Sequence, residues 1–345
     1  MENDKSIVLS AMGHFHPENK IPNDFFDELD IGTDAAWLEE RTGIESRSSV
    51  LQTEDILALR HEKTNLDGLR RQGRVTPLSA LAKPAWARLV ERHPSGNQDL
   101  HESIDTLICG TSVPDYDIPA NACSIAGELG FHCPSWDLNS ACSTFIVNLH
   151  VARGLLMAQR HKRIAIFNPE RYSMRMNYTD RSTCILFGDG CSAATIELDE
   201  GEGDPVSGLE VLDTWVESDP SRYDLVTIED GGTFQQSGKA VQKFAISRTI
   251  DITRRILERN GLTPEDISWF TGHQANLRMV ESAANRLGIP SEKHLYNVHK
   301  FGNQGAAGAP SVLSQNWEKF KPGDLVAVSV VGSGLTWASA LLRCR

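Results

Sequence analysis

No window of the 345-residue chain approaches 18 uninterrupted apolar residues, so the sequence offers no membrane span. The N-terminus, Met-Glu-Asn-Asp-Lys and then a short apolar run from Ile7 to Met12, has no basic stretch leading into a long apolar one, and no secretory signal is expected. CxxC spacing is missing. The seven cysteines stand at 109, 123, 133, 142, 184, 191 and 344, scattered and odd in number, a poor disulfide framework and a poor zinc site. Reduced thiols in a cytoplasmic protein, with no metal, are the expectation. Positive charge is scarce: 34 Lys and Arg against 46 Asp and Glu leave a formal net charge of −12, which argues against a general nucleic-acid binder. Low-complexity tracts and short-period repeats are also lacking. A composition of 40% hydrophobic and 23% charged residues describes a soluble globular protein, long enough for one large domain or two similar halves.

Short apolar runs rich in β-branched residues recur at Ile7–Ala11, Thr106–Thr111, Arg163–Phe167, Ser192–Glu197, Leu209–Trp215, Trp269–Gly272 and Leu325–Val331. Helical periodicity lies between them. Phe145, Leu149, Ala152 and Leu156 share one helix face, as do Leu277, Val280, Ala284 and Leu287 in a segment that ends at Gly288 and Pro290. Lys239 to Asn260 reads as a further helix stopped by Gly261. Strands alternating with helices of these lengths predict an α/β architecture. The acidic stretch Glu197–Pro205 is the candidate connection between halves, and the charged stretch Glu62–Val75 reads as an insertion or mobile loop.

Four segments can carry chemistry. In Asp137-Leu-Asn-Ser-Ala-Cys142-Ser-Thr a strand ends, small residues turn, and a cysteine opens an apolar-faced helix. The positive end of that helix would favour a thiolate and lower the thiol pKa, although most lone cysteines are structural. In Phe270-Thr-Gly-His273-Gln-Ala-Asn a histidine follows a strand and stands at the start of a helix, where its protonated form is disfavoured. The other ten histidines read as solvated. Gly302-Asn303-Gln-Gly reads as a turn, but its amide can also donate to a developing oxyanion. Gly332-Ser333-Gly334 follows a strand and can supply a backbone N–H to an oxyanion hole.

Together these segments, with Trp37-Leu-Glu-Glu-Arg-Thr-Gly-Ile44, Leu186-Phe-Gly-Asp-Gly190 and Leu335-Thr-Trp337, resemble β-ketoacyl-acyl-carrier-protein synthase III and its relatives in the thiolase superfamily. The resemblance implies a thiolase-like, duplicated five-layer αβαβα fold, with residues 1–200 as the half bearing the nucleophile and 201–345 as the half bearing His and Asn. It implies a homodimer and no resident cofactor. Cys142 would accept the acyl group, His273 and Asn303 would activate the second thioester, and the N–H groups of Cys142 and Ser333 would bind the first oxyanion. Trp37, Arg41 and Asn276 match substrate-contacting positions for coenzyme A or pantetheine. Lys243, Arg278 and Arg286 match or adjoin basic positions that dock acyl carrier protein. Core packing remains open for Trp37, and a solvated helix face for Lys243 and Arg286. At Ile118 the family often has a phenylalanine that reaches the partner's acyl pocket; a smaller side chain would admit a longer or branched acyl group. The stretch at 62–75 and a short segment after Trp215 also depart from the family pattern, and a specialised pathway fits these departures better than housekeeping. Alternatives are a chain-joining enzyme without decarboxylation, an ester- or amide-forming acyltransferase, a non-catalytic partner subunit and an unrelated cysteine hydrolase.

Overall fold

A computed structural model describes residues 5–60, 69, 72–93, 97–201 and 205–345. Nine strands form one sheet: β1 (Ser6–Phe15), β2 (Thr106–Cys109), β3 (Ser135–Asp137), β4 (Arg163–Arg171), β5 (Asp189–Asp199), β6 (Leu209–Ser218), β7 (Trp269–Gly272), β8 (Leu325–Gly332) and β9 (Thr336–Cys344). Their order is β7-β8-β9-β6-β1-β5-β4-β2-β3. All seven apolar runs named from the sequence contain a strand, several of them longer than the run itself, although the one at Thr106–Thr111 ends at Cys109.

The order contains the same pattern twice. In the first half β3, β2 and β4 are parallel neighbours, and β5 and then β1 add antiparallel. In the second half β7 and β8 are parallel, β9 and β6 add antiparallel, and an isolated parallel bridge from Phe270 to His294 stands where a fifth strand would. The halves join edge to edge through β1 and β6, where Val8 pairs with Glu210 and Leu9 with Leu209. The stretch between β5 and β6 is where residue 200 falls.

Helices fill three layers around the two half-sheets. The helices α1 (Leu78–Arg92) and α2 (Asn121–Leu129) cover the outer face of the first half, with Leu81, Ala85, Leu89 and Ile125 buried against Leu107 and Phe167. Between the half-sheets lie α3 (Thr144–Met157) and α6 (Gly308–Gln315), whose Phe145, Leu149, Val312 and Leu313 share one core with both halves. The helices α4 (Gly238–Arg259) and α5 (Leu277–Leu287) cover the second half, and Ile256 and Leu287 pack on Phe270 and Leu341. This is the five-layer duplicated arrangement that the resemblance implies. Strand parity explains the shared core: Val326, Val328 and Val330 of β8 all face α3 and α6. On β1, Ile7, Leu9 and Met12 face that way too, which a regular strand forbids; a register shift between Leu9 and Ala11 supplies the extra residue.

Two readings of the connections change. The stretch Glu62–Val75 lies largely outside the described residues, but Leu69 within it is buried with Phe25, Phe26 and Ile56 and so belongs to a core. Glu197–Asp199 is strand rather than linker: Glu197 is buried between His93 and Arg163, at 2.8 and 2.6 Å.

Candidate active site

A cavity of about 720 Å³ receives residues from four distant stretches of chain: Cys142, His273, Asn303 and the Gly332–Ser333 turn all line it. Each is placed by a different piece of local chemistry.

Cys142 sits in a 3-10 turn, Ala141–Ser143, that runs directly into α3. Ala141 has φ of +47°, a left-handed conformation that is costly for a residue with a Cβ. The turn is held by its neighbours: Asn139 Oδ1 accepts the Ala141 N–H at 2.9 Å, and Thr144 Oγ1 accepts the Ser140 N–H at 2.7 Å while donating to Ala141 O at 2.6 Å. Placement at the helix start is as expected, but the thiolate is not. Burial, and then the negative charge of Glu170, push the Cys142 thiol up to about 12, with a contact to Tyr172 opposing them. Loss of water outweighs the helix-end field, so the resting group is a neutral thiol.

His273 follows β7, and its N–H donates to Ser329 O of β8 at 2.9 Å. It does not stand on a helix: α5 begins at Leu277, capped by Asn276 Oδ1, which accepts the Met279 N–H at 3.0 Å. The helix end therefore cannot be what keeps the imidazole neutral. Burial does so, lowering its pKa to about 4. Nδ1 is buried with no partner among the described residues, and the residue lines the cavity. Gln274, fully buried, locks this loop to the next segment. Its Nε2 donates to Gly272 O at 2.7 Å, and its Oε1 accepts the N–H groups of Asn297 and Val298 at 3.0 and 3.2 Å.

Asn303 is pinned as backbone and as side chain. Its N–H donates to Leu186 O at 2.8 Å and its carbonyl accepts the Gly188 N–H at 2.9 Å. That explains the Leu186-Phe-Gly-Asp-Gly190 segment: a Cβ at Gly188 would lie 2.0 Å from Phe301 O, so only glycine lets the two backbones bridge. Asn303 Oδ1 accepts the Gly305 N–H at 3.0 Å, which leaves the amide N–H groups for the cavity. At Gly332 a Cβ would lie 2.7 Å from Ser140 O and 2.8 Å from Ser143 N, so this turn presses on the backbone beside Cys142. The Ser333 hydroxyl is engaged, donating to Val226 O.

Trp37, Arg41 and Asn276 line the same cavity. Trp37 packs on the core as well, with the Arg181 guanidinium 5.1 Å above its ring, so packing and cavity lining coexist in one side chain. Ile118 does not reach the cavity of its own chain and is 86% exposed. Lys243 and Arg286 are exposed on α4 and α5. Arg278 is partly engaged, donating to the end carbonyls Glu39 O and Glu40 O of the helix Ala35–Thr42 and facing Glu281 at 3.3 Å. Three of the histidines expected in solvent are instead buried: His14, His93 and His294. His14 lies on β1 against Ser314 at 2.8 Å and His93 ends α1 against Glu197, so partners far along the chain explain their burial.

Two residues beside the sulfur escaped sequence reasoning. Tyr172, 1% exposed, brings its hydroxyl to 4.0 Å from Cys142 Sγ. Glu170 is fully buried, accepting N–H groups of Ser112 and Ala306 at 3.0 and 3.2 Å, and burial pushes its carboxyl up to about 8. Their signal, a charged pair Glu170-Arg171 just past an apolar run, was masked by the intervening Asn168-Pro169, a dipeptide that ordinarily marks a turn.

Known proteins share this framework. Residues 136–220 match the family model described as 3-oxoacyl-[acyl-carrier-protein] synthase III, and residues 257–344 match the model of its C-terminal part. The chain is 34% identical to the β-ketoacyl-[acyl-carrier-protein] synthase III of Paracoccus denitrificans, over 98% of this chain and 99% of the relative. Among solved structures, the 3-oxoacyl-[acyl-carrier-protein] synthase III of Aquifex aeolicus superposes with a TM-score of 0.83 at 27% identity, covering 98% of this chain and 99% of the other. The Thermus thermophilus β-ketoacyl-[acyl-carrier-protein] synthase III gives 0.81 at 29% identity, with coverage of 98% and 99%.

Proposed function

The chain belongs to the 3-oxoacyl-[acyl-carrier-protein] synthase III family of thiolase-fold acyltransferases, and from that premise we propose that Cys142 carries the acyl group while His273 and Asn303 activate the second thioester. The reaction is an acyl-thioester Claisen condensation of fatty-acid or polyketide biosynthesis. The observation that supports these roles is the convergence of the three side chains on one cavity from residues 142, 273 and 303.

In the first half-reaction Cys142 Sγ attacks the donor thioester carbonyl. The new S–C bond replaces the donor's, and the departing thiol takes the proton that Cys142 gives up. The Cys142 and Ser333 N–H groups receive the oxyanion, a job that tolerates serine at 333 because the backbone donates and the hydroxyl is engaged with Val226 O. In the second half-reaction a second thioester, losing carboxylate or a proton, becomes a carbanion equivalent. Its carbonyl oxygen gathers negative charge between the His273 ring and the Asn303 amide, two neutral donors. The thioesters themselves carry the driving force, so no resident cofactor is needed.

The substrates are thioesters of coenzyme A or acyl carrier protein, with Trp37, Arg41 and Asn276 along the entry arm and Lys243, Arg278 and Arg286 on the docking face. Ile118 and the neighbouring Tyr116, 86% and 56% exposed, favour a homodimer in which this apolar segment is covered by a second copy. Seven free thiols suit the cytoplasm. Among the described residues no helix is long and apolar enough to cross a membrane. Intact-protein mass spectrometry after incubation with a panel of acyl thioesters tests the reading. A covalent acyl adduct that vanishes in Cys142→Ala is the expected result; an adduct that survives the substitution overturns it.

A further inference from the structure

We propose that Tyr172 is the hydrogen-bond donor that stabilises the Cys142 sulfur as an anion in both half-reactions, and that Glu170 beside it opposes this, so the two together set how reactive the sulfur is. The inference rests on Cys142 being the nucleophile.

The placement of Tyr172 is built rather than incidental. It opens the 3-10 turn Tyr172–Arg175 at the end of β4, and its ring is packed by Phe187 and Phe234, at centroid distances of 4.6 and 6.1 Å. On the opposite side a Cβ at Gly305 would stand 2.5 Å from Tyr172 Cε2 and 2.9 Å from its hydroxyl, so the backbone there closes directly on the phenol. Thus confined, the hydroxyl lies 4.0 Å from Sγ, at the long end of a sulfur hydrogen bond. With a neutral thiol either group can donate and little is gained. A thiolate has no proton, so the phenol must donate, and the bond becomes charge-assisted and shortens. Tyr172 keeps its proton throughout, because burial raises its own pKa well above the usual value.

The two half-reactions need the same donor. As Sγ attacks, the thiol proton leaves, the S–C bond forms and the donor's C–S bond breaks with its electron pair. As the carbanion attacks the acyl carbon, that S–C bond breaks and its pair returns to Sγ. Anionic sulfur is present at the start of the one and the end of the other, and the thioester between them asks little of the phenol.

Glu170 works the other way. Gly305 places its carboxylate close to the phenol, since the same Cβ position lies 2.8 Å from Glu170 Oε1. When ionised, it disfavours a second negative charge on sulfur. His273 faces the cavity with Cys142, and the turns at Asn139–Ser143 and Gly332–Ser333, with Ser112 and Asn303, bring only neutral groups. The cations lining the cavity are Arg41, Arg181 and Lys239.

The test is the rate of Cys142 alkylation by iodoacetamide from pH 7 to 9, with the labelled residue located by peptide mapping and Cys123, which is exposed, mapped as a reference. Tyr172→Phe, which keeps the ring, is expected to slow labelling at Cys142 about tenfold at every pH, the size of one charge-assisted bond. It should lower kcat for acylation by a similar factor and leave KM unchanged. Glu170→Gln is expected to speed labelling several-fold at pH 9, where the wild-type carboxyl is ionised, and little at pH 7, a pH dependence that a packing defect does not produce. Should Tyr172→Phe not fold, 3-fluorotyrosine at position 172, a stronger donor of nearly the same shape, is expected to speed labelling. Unchanged labelling of Cys142 in Tyr172→Phe, or with the fluorinated residue, overturns the proposal and leaves Cys142 as nucleophile intact. Acyl transfer that persists in Cys142→Ala defeats the underlying reading instead.

Discussion

In the proposed mechanism, Gly332→Ala isolates the oxyanion contribution from everything else in the cavity. The added Cβ would lie 2.7 Å from Ser140 O and 2.8 Å from Ser143 N, both backbone atoms that cannot swing aside. Ordinary contact begins at 3.4 Å, so the turn and the Cys142 segment must part by about 0.7 Å, the difference between 3.4 and 2.7. Overpacking of this kind costs about 1–3 kcal/mol of stability, which the protein should survive. The chemical effect is larger. Oxyanion donors act at about 2.7–3.1 Å, and a displacement of this size puts one of them beyond useful range. Loss of a whole donor costs about a hundredfold or more, so a partial loss predicts acylation slowed between about tenfold and a hundredfold. Rapid-quench mass spectrometry of the acyl-enzyme reads that rate. Iodoacetamide supplies the control, because displacement at its carbon makes no oxyanion: labelling of Cys142 should stay near the wild-type rate. Acylation within twofold of wild type, or labelling that falls in parallel with it, refutes the reasoning.

Three further outcomes are expected. Gln274→Leu leaves the N–H groups of Asn297 and Val298 without their acceptor, which should cost about 2–4 kcal/mol in urea unfolding and slow condensation more than Cys142 acylation. His294, lowered to about 4 by burial, is neutral when folded but protonates near 6.5 when unfolded; its stabilising share is present above 6.5 and is lost as pH falls toward 4. Urea midpoints of wild type and His294→Leu at pH 7 and 5 should therefore show about 2 kcal/mol less acid destabilisation in the variant. Lys243→Glu should raise KM about tenfold for carrier-protein thioesters and leave coenzyme A thioesters unaffected, with the difference shrinking in high salt; equal effects on both would remove Lys243 from the docking face.

Much of the framework is legible locally because it rests on local rules. The apolar run Leu325–Val331 describes a strand and the helical spacing of Phe145, Leu149, Ala152 and Leu156 a face, and both are buried. The stop at Gly288 holds because its φ of +77° suits glycine. What escaped depends on the whole molecule. The shift between Leu9 and Ala11 that turns Met12 inward has no marker in a run of small and apolar residues. His93 and Glu197 stand 104 residues apart, and neither announces the other. The thiol of Cys142 shows the limit most clearly: its place at a helix start is visible in the sequence, but its ionisation depends on burial and on Glu170.

That limit bears on the chemistry itself. A cysteine hydrolase works from a thiolate and imidazolium, whereas here the thiol titrates near 12 and the imidazole near 4, so both rest neutral. At pH 7 such a thiol is almost wholly protonated, and donors at the sulfur and at the nascent oxyanion must offset the cost of ionising it. The same desolvation suits the second half-reaction. A carbanion in a watery site would be quenched by the nearest proton, and an imidazolium beside it would be the first to supply one. In the proposed roles, a His273 kept uncharged by burial and an Asn303 amide polarise the carbonyl without protonating the carbon. Burial thus hinders the attack of sulfur and protects the carbon nucleophile by one physical cause, and a substitution that let water reach Cys142 should quicken its alkylation while diverting the second substrate from condensation to simple loss of its carboxylate.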